Sequence, residues 1–315
     1  MTGKCFFRLL LLASLSAPAA FCAAKSPVQA DNFDGISWHT LSSSHYDVYY
    51  EANWPPSGIV LDLERIYSKL RMNLSSFAAF RDNDKIKVYI YKSKKSFLSS
   101  DRNPPAWAQA LAIYGGAERT ILIYDMKDPA KLRNTIAHES THIILHHYFE
   151  KNKRQLPIPD WFNEGMATLV EDSVSDGEAW SSSLEYFKAS KFMPPDQMLY
   201  SKAGTDTSSE AASLWYMEAF SMVKFLNQPD KKFQFAELAA ALREQTPVET
   251  ALRTSYRYRN MAEFEEAWHE WINAFKKKNA AGGNTFSSSE FKPFRTDFDG
   301  FSQNSKPAFH APGGN

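Results

Sequence analysis

Cysteine is almost absent from this chain of 315 residues: Cys5 and Cys22 are the two, and both fall in its leading segment. A disulfide framework for the folded body is therefore excluded, and stability has to come from a core or a metal. Charge of one sign is absent too. The 36 Lys and Arg balance 36 Asp and Glu, so no overall field draws the protein to nucleic acid or to an anionic bilayer, and neither is expected as a partner. Long hydrophobic runs are missing: the stretch Leu9 to Leu15 falls far short of the roughly 20 residues that span a bilayer, which excludes an integral membrane segment once a leader is removed. No repeat at a solenoid period is visible. What remains is 43% hydrophobic, 23% charged and 14% aromatic, the composition of a folded chain rather than a disordered or fibrous one.

Lys4 and Arg8, the apolar run Leu9 to Leu15 and the small residues Ser16 to Ala24 follow in the order of an export signal. Cleavage after Ala24 is expected, which defines residues 1–24 as a signal peptide and the destination as the periplasm or the exterior. A lipid anchor on Cys22 would want a small residue before it, where the chain has Phe21.

Period-two and period-3.6 patterns divide the rest. His45 to Tyr50 reads as a strand, Ile59, Leu63, Ile66, Leu70, Leu74 and Phe77 mark an amphipathic helix, and Ile86, Val88 and Ile90 alternate as a strand with one buried face. Ala110 to Tyr114 and Thr120 to Tyr124 flank a glycine turn as a hairpin. Helices are predicted near Leu132 to Phe149, Trp161 to Asp172, Ala211 to Asn227, Phe233 to Arg243 and Met261 to Lys277. Ser173 to Ser209, rich in serine, reads as an irregular surface excursion, and residues 280–315 as a disordered tail. The expected class is α+β: an N-terminal α/β subdomain with a small mixed sheet (31–128), a mainly helical subdomain (129–279), and an active-site cleft between them.

His138-Glu139-Ser140-Thr141-His142 is H-E-x-x-H on a predicted helix. Four helical steps return to within about 40° of the start, so both imidazoles leave one face a turn apart and can converge on one ion, with Glu139 beside them. On the helical wheel Leu132, Ile136 and Ile143 form an apolar seam, and the histidines fall about 200–240° away from it, toward a cleft. A random chain of this composition carries the pattern with a chance on the order of 0.02, so the motif alone is suggestive. A zinc ion held by two histidines needs a third protein ligand. Continuation as H-E-x-x-H-x-x-G-x-x-H would need glycine at 145 and histidine at 148, where the chain has Leu145 and Tyr148. His146 shares the stripe, but a rise of about 12 Å from His138 keeps it from the same ion and leaves it a surface or supporting role. The remaining route is a glutamate from a following helix. Pro159-Asp160-Trp161-Phe162-Asn163-Glu164-Gly165-Met166-Ala167 offers Glu164 in the first turns, behind Asp160 as N-cap, with Gly165 and Ala167 small enough for close helix approach.

H-E-S-T-H followed by W-F-N-E-G-M-A resembles the gluzincin metallopeptidases, in particular the peptidase MA-like domains of exported bacterial proteins, with aminopeptidase-N-like motifs. The resemblance implies a zincin-like fold, one Zn2+ per chain bound by His138, His142 and Glu164, and Glu139 as general base. Tyr216 opens a segment similar to the family's Y-E-K-G helix, with Glu218 and Ala219 at the lysine and glycine positions, and would stabilise the oxyanion. Glu171, seven residues after Glu164, would orient a ligand histidine. Glu118 in Gly115-Gly116-Ala117-Glu118-Arg119 matches in part a segment whose glutamate binds a substrate's amino group; methionine is missing and Arg119 replaces asparagine.

The expected function is an exported zinc metallopeptidase acting on a peptide or protein substrate, endopeptidase rather than aminopeptidase, with an extended substrate pairing to a strand edge. The alternative is a catalytically silent zinc protein of the cell envelope, structural or assembling. Against it stands Glu139, since a structural site closes with a fourth protein ligand and has no use for a base.

Overall fold

The computed structural model describes residues 32–281 apart from 34, 52–57, 78–84, 107, 116–117 and 203–207. The export signal over 1–24, most of the tail over 280–315 and the glycine turn of the hairpin lie outside the described residues. The first half alternates strands with helices: β1 (Asn32–Phe33), β2 (Ile36–Ser42), β3 (Tyr46–Glu51), α1 (Ile59–Leu74), β4 (Ile86–Tyr91), α2 (Lys94–Leu98), β5 (Ala110–Gly115) and β6 (Glu118–Tyr124). The second is helical: α3 (Pro129–Tyr148), the short ribbon β7 (Glu150–Lys151) and β8 (Arg154–Gln155), α4 (Asp160–Val174), α5 (Ser181–Leu184), α6 (Pro195–Met198), α7 (Ser209–Leu226), α8 (Lys232–Arg243), α9 (Val248–Tyr256) and α10 (Met261–Ala281). No described helix is long and apolar enough to cross a membrane. The architecture is α+β, as the distribution of periods predicts.

The sheet runs β1-β2-β3-β4-β6-β5. β3, β4 and β6 are parallel, Val48 lying level with Val88 and Val88 with Ile121, while β5 closes the described sheet antiparallel to β6. On the inner face Tyr46, Val48, Val88, Ile90, Ile121 and Ile123 meet Leu63, Ile66 and Leu70 of α1 in the main core. The single buried face expected of β4 is corrected. Tyr89 and Tyr91 are buried on the opposite side, with Trp38 edge-on at 5.2 and 5.0 Å and Phe97 of α2 closing over Tyr91 at 5.8 Å. Tyrosine carries an apolar ring and a polar tip, so an alternation test takes it for solvent-facing when a second aromatic layer covers it.

Helix α3 begins on Asp128, whose carboxylate accepts from the Ala130 and Lys131 amides, with Pro129 at the first helical position. It packs against α1, α4, β5 and β6, and every residue from Thr135 to Leu145 is buried. The expected division into an apolar seam and an open histidine face is corrected accordingly: the histidine face lies against α4. Helix α4 starts at Asp160 with Pro159 as its cap and no side-chain cap bond, so Asp160 is a first-turn acid and not the cap predicted. Its position there is held by Lys202 at 3.5 Å. Over its described residues 173–202, the segment expected as a surface excursion is packed inward. Trp180, Leu184, Met198 and Leu199 are buried in the main core, and the serines that suggested solvent bind inward: Asp172 accepts from the Trp180 and Ser181 amides and from Ser181 Oγ, with Lys224 Nζ at 2.9 Å.

Candidate metal centre

The four-residue spacing on α3 sets the two imidazoles of His138 and His142 with ring centroids 4.8 Å apart at 81°. From α4, Glu164 Oε2 stands 3.5 Å from His138 Nε2 and 3.8 Å from His142 Nε2. One donor atom of each of the three residues lies within 4.8 Å of the others, and among the described residues no further group of three or more His, Cys, Asp or Glu side chains does the same. Donors held tetrahedrally at 2.0–2.1 Å from an ion are separated by about 3.3 Å. Two imidazole nitrogens and a carboxylate oxygen at these spacings fit a zinc ion with small side-chain adjustment. Beside Glu164, Gly165 lets α4 lie on α7: a Cβ there would meet Val223 Cγ2 at 2.5 Å and the Ala219 carbonyl oxygen at 2.6 Å.

The far side of each ring is also engaged. His142 Nδ1 is 3.0 Å from Asn163 Oδ1, and His138 Nδ1 is 3.4 Å from Glu171 Oε2, which accepts from Trp180 Nε1 at 3.2 Å. An acceptor at Nδ1 holds the ring proton there and turns the Nε2 lone pair toward the centre. Electrostatics make the same demand for positive charge. Burial disfavours the His138 imidazolium, but the Glu164 and Glu171 carboxylates outweigh it and push its pKa up to about 10. Burial opposes ionisation of Glu164, yet the neighbouring histidines, His142 and His138 foremost, hold its carboxyl below the usual range. Its Oε2 is buried without a hydrogen-bond donor among the described residues. A divalent cation answers all three groups at once, in place of the proton.

Glu139 follows His138 on α3 and is 4% exposed. Tyr216 is 2% exposed on α7, its ring 5.2 Å from Trp215 and 6.4 Å from Trp180; it is thus one aromatic ring away from the Glu171 carboxylate. Glu118 is not in the donor set; it stands at the turn end of the β5–β6 hairpin, paired with Gly115, 44% exposed and 3.4 Å from Arg102 Nη2. His146 is outside the donor set and half-buried. It stacks face to face with Tyr114 of β5 at 3.6 Å, and burial, helped by His142, lowers its pKa to about 3, so the ring is neutral.

Three residues at the site carry no signal that the sequence reading used: Asn163, Trp180 and Tyr114. Asn163 stands in the same motif as Glu164 and was open to notice as a short polar side chain beside a ligand. Trp180 depends on the return of the chain around Asp172. Tyr114, at the end of the edge strand, stacks on His146 and has its hydroxyl pushed up to about 12, mainly by burial and then by the charges of Glu139 and Glu164.

Compared with models of known protein families, the chain matches that of the peptidase MA superfamily over residues 70–274, a stretch that begins in the last turn of α1 and takes in the whole site and the first part of α10. No curated protein matches it. The match covers well over half of the sequence, and the chain belongs to the peptidase MA superfamily.

Proposed function

We propose that the protein is an exported zinc-dependent metallopeptidase that cleaves within peptide chains. The observation that carries the reading is the convergence of His138 Nε2, His142 Nε2 and Glu164 Oε2, with Glu139 on the adjoining helical position. Membership of the superfamily supports a peptidase-type hydrolase. Zinc held by His138, His142 and Glu164 supplies a Lewis acid for the scissile carbonyl and acidifies a water at neutral pH.

The remaining chemistry belongs to side chains of this protein. Glu139 takes the proton of the attacking water and delivers it to the leaving amine, a role for which a carboxylate held on the rigid α3 is suited. Tyr216 donates to the developing oxyanion. The outer edge of β5 pairs with an extended substrate, whose backbone amides and carbonyls it matches. Glu118 is engaged with Arg102 on an exposed hairpin, which favours cleavage inside a chain over capture of a free amino group. The basic, apolar and small-residue order of residues 1–24, which fits an export signal, supports export.

The test is incubation of the purified protein with a mixed peptide library, read by mass spectrometry, alongside metal analysis after dialysis. Cleavage that chelator abolishes and zinc restores, with one zinc per chain lost in His142→Ala, is expected. Zinc retained in that variant, or a library left intact by the zinc-loaded protein, refutes the reading. Acetylated and free N-termini in the same library separate the two cleavage modes: abolition of cleavage by acetylation and by Glu118→Ala would make it an aminopeptidase.

A further inference from the structure

A groove of about 460 Å3 opens at the N-terminal end of α4, walled by Ile158, Leu199, Tyr200, Leu242, Pro247 and Val248. Its volume lies inside the roughly 300–1,000 Å3 typical of ligand sites. The walls are tied together. Gln245 Nε2 donates to the Pro157 carbonyl at 3.2 Å, joining the α8–α9 turn to the segment before α4, and Trp215 Nε1 donates to Ser201 Oγ at 2.7 Å, joining the 199–202 wall to α7. A concavity so braced exists before any ligand enters, which lowers the ordering cost of binding.

The groove lies one helical turn along α4 from the metal centre. Asp160, on its lip, precedes Glu164 by four residues and so shares its face of α4, one turn closer to the helix start. The charge of Glu164 contributes to the upward shift of the Asp160 carboxyl, after burial. One turn of four residues is about 6 Å, and an extended peptide advances about 3.3 Å per residue. A substrate whose scissile bond lies at the His138–His142–Glu164 set therefore reaches the groove roughly two to four residues away. Eight of the thirteen lining residues are aliphatic, prolyl or aromatic; Ser201, Gln245 and Thr246 are neutral, and the charges on the lip, Asp160 and Lys202, offset each other at 3.5 Å. The chemistry selects a bulky apolar side chain rather than a charged one.

We propose that this groove is a specificity subsite that accepts a large apolar side chain of the peptide substrate, two to four positions from the bond cleaved. It rests on the peptidase reading above, and the test separates the two. Peptides that carry Leu or Phe, Gly, or Asp at those positions on either side of a cleavage site are compared twice: as substrates of the zinc-loaded protein, and as fluorescent ligands of Glu139→Gln by anisotropy. A preference of tenfold or more for Leu or Phe over Gly and Asp is expected at one position in both assays. Ile158→Glu, which puts a carboxylate into the groove, and Tyr200→Ala, which removes a wall residue that is 62% exposed and so carries little of the fold, should each narrow the ratio to within threefold. Discrimination in the anisotropy assay without hydrolysis of any peptide supports the groove and refutes the peptidase reading. Hydrolysis with no apolar preference, or a preference that both folded variants retain, overturns the groove as a subsite.

Discussion

Replacing Gly165 by alanine tests whether the metal centre depends on the contact of α4 with α7. In isolation the change favours the helix by about 1 kcal/mol, since glycine is the poorer helix former. The neighbourhood opposes it. An added Cβ would stand 2.6 Å from the Ala219 carbonyl oxygen, against about 3.4 Å for ordinary contact, a shortfall of about 0.8 Å. Val223 Cγ2, at 2.5 Å, belongs to a buried β-branched side chain that is stiff in a helix, and the Ala219 oxygen is helix backbone that cannot move without α7. Overpacking of this kind costs roughly 1–3 kcal/mol, so the net expectation is a loss of up to about 2 kcal/mol, or a fall in Tm of up to about 6 °C for a chain of this size. The same displacement carries Glu164 with it, beyond the roughly 0.5 Å within which a ligand set tolerates error, and zinc affinity should fall about tenfold or more. Thermal denaturation of the metal-free protein and a competitive zinc titration measure the two effects separately. A Tm at or above that of the wild type with unchanged zinc affinity would refute the close packing of α4 on α7.

Glu139→Gln should keep the metal and lose at least about 100-fold in kcat, because an amide cannot take a proton; wild-type turnover in that variant removes Glu139 from the mechanism. Asn163→Ala, which releases Nδ1 of His142, should weaken zinc binding about 10- to 100-fold, and equal affinity would mean the 3.0 Å contact orients nothing. Tyr216→Phe should lower kcat with KM held, whereas a loss confined to KM makes the tyrosine a packing or binding residue. Glu218, fully buried on α7, has its carboxyl pushed up by burial, with Glu265 adding, to about 8 from 4.5. The folded state therefore holds its proton more tightly than the unfolded one. The stability this gives is complete below about pH 4.5 and is lost as the pH rises to about 8, at up to about 1.4 kcal/mol per unit. In denaturant melts the wild type should lose on the order of 3–5 kcal/mol more than Glu218→Gln between pH 5 and pH 8.5, and parallel profiles would refute the assignment.

Elements whose signal is local were legible in the sequence. Asp128 and Pro129 open α3 where the capping rules put them, and Ile59 to Leu74 buries the stripe its spacing draws. The failures come from contacts between distant residues. Tyr89 and Tyr91 are buried because Trp38, some fifty residues earlier, covers them. The serine-rich stretch after α4 is held inward by one carboxylate, Asp172, and by Lys224 from another helix. Composition recorded the serines; it held nothing about the acceptor they would meet. Helix α9 was missed altogether, although Val248, Ala251, Leu252 and Ser255 are its buried face, because nine residues are too few for a period to stand out.

The site divides along the same line. His138 and His142 were legible because the α-helical repeat alone fixes their relation, and Glu164 because a proline, a short helix start and a small residue stood around it. What turns three side chains into a donor set is their orientation, and that comes from Asn163, Glu171 and the Trp180 that holds it. Glu171 was within reach of the sequence because it shares a helix face with Glu164. Trp180 was not, since its indole reaches Glu171 only after Asp172 has bound the amides of Trp180 and Ser181 and turned the chain back. Asp172 therefore acts on the centre without touching it, through two backbone bonds and one indole. Spacing on a single helix can be read from a sequence, whereas the loop that orients a ligand is decided by the fold the whole chain adopts.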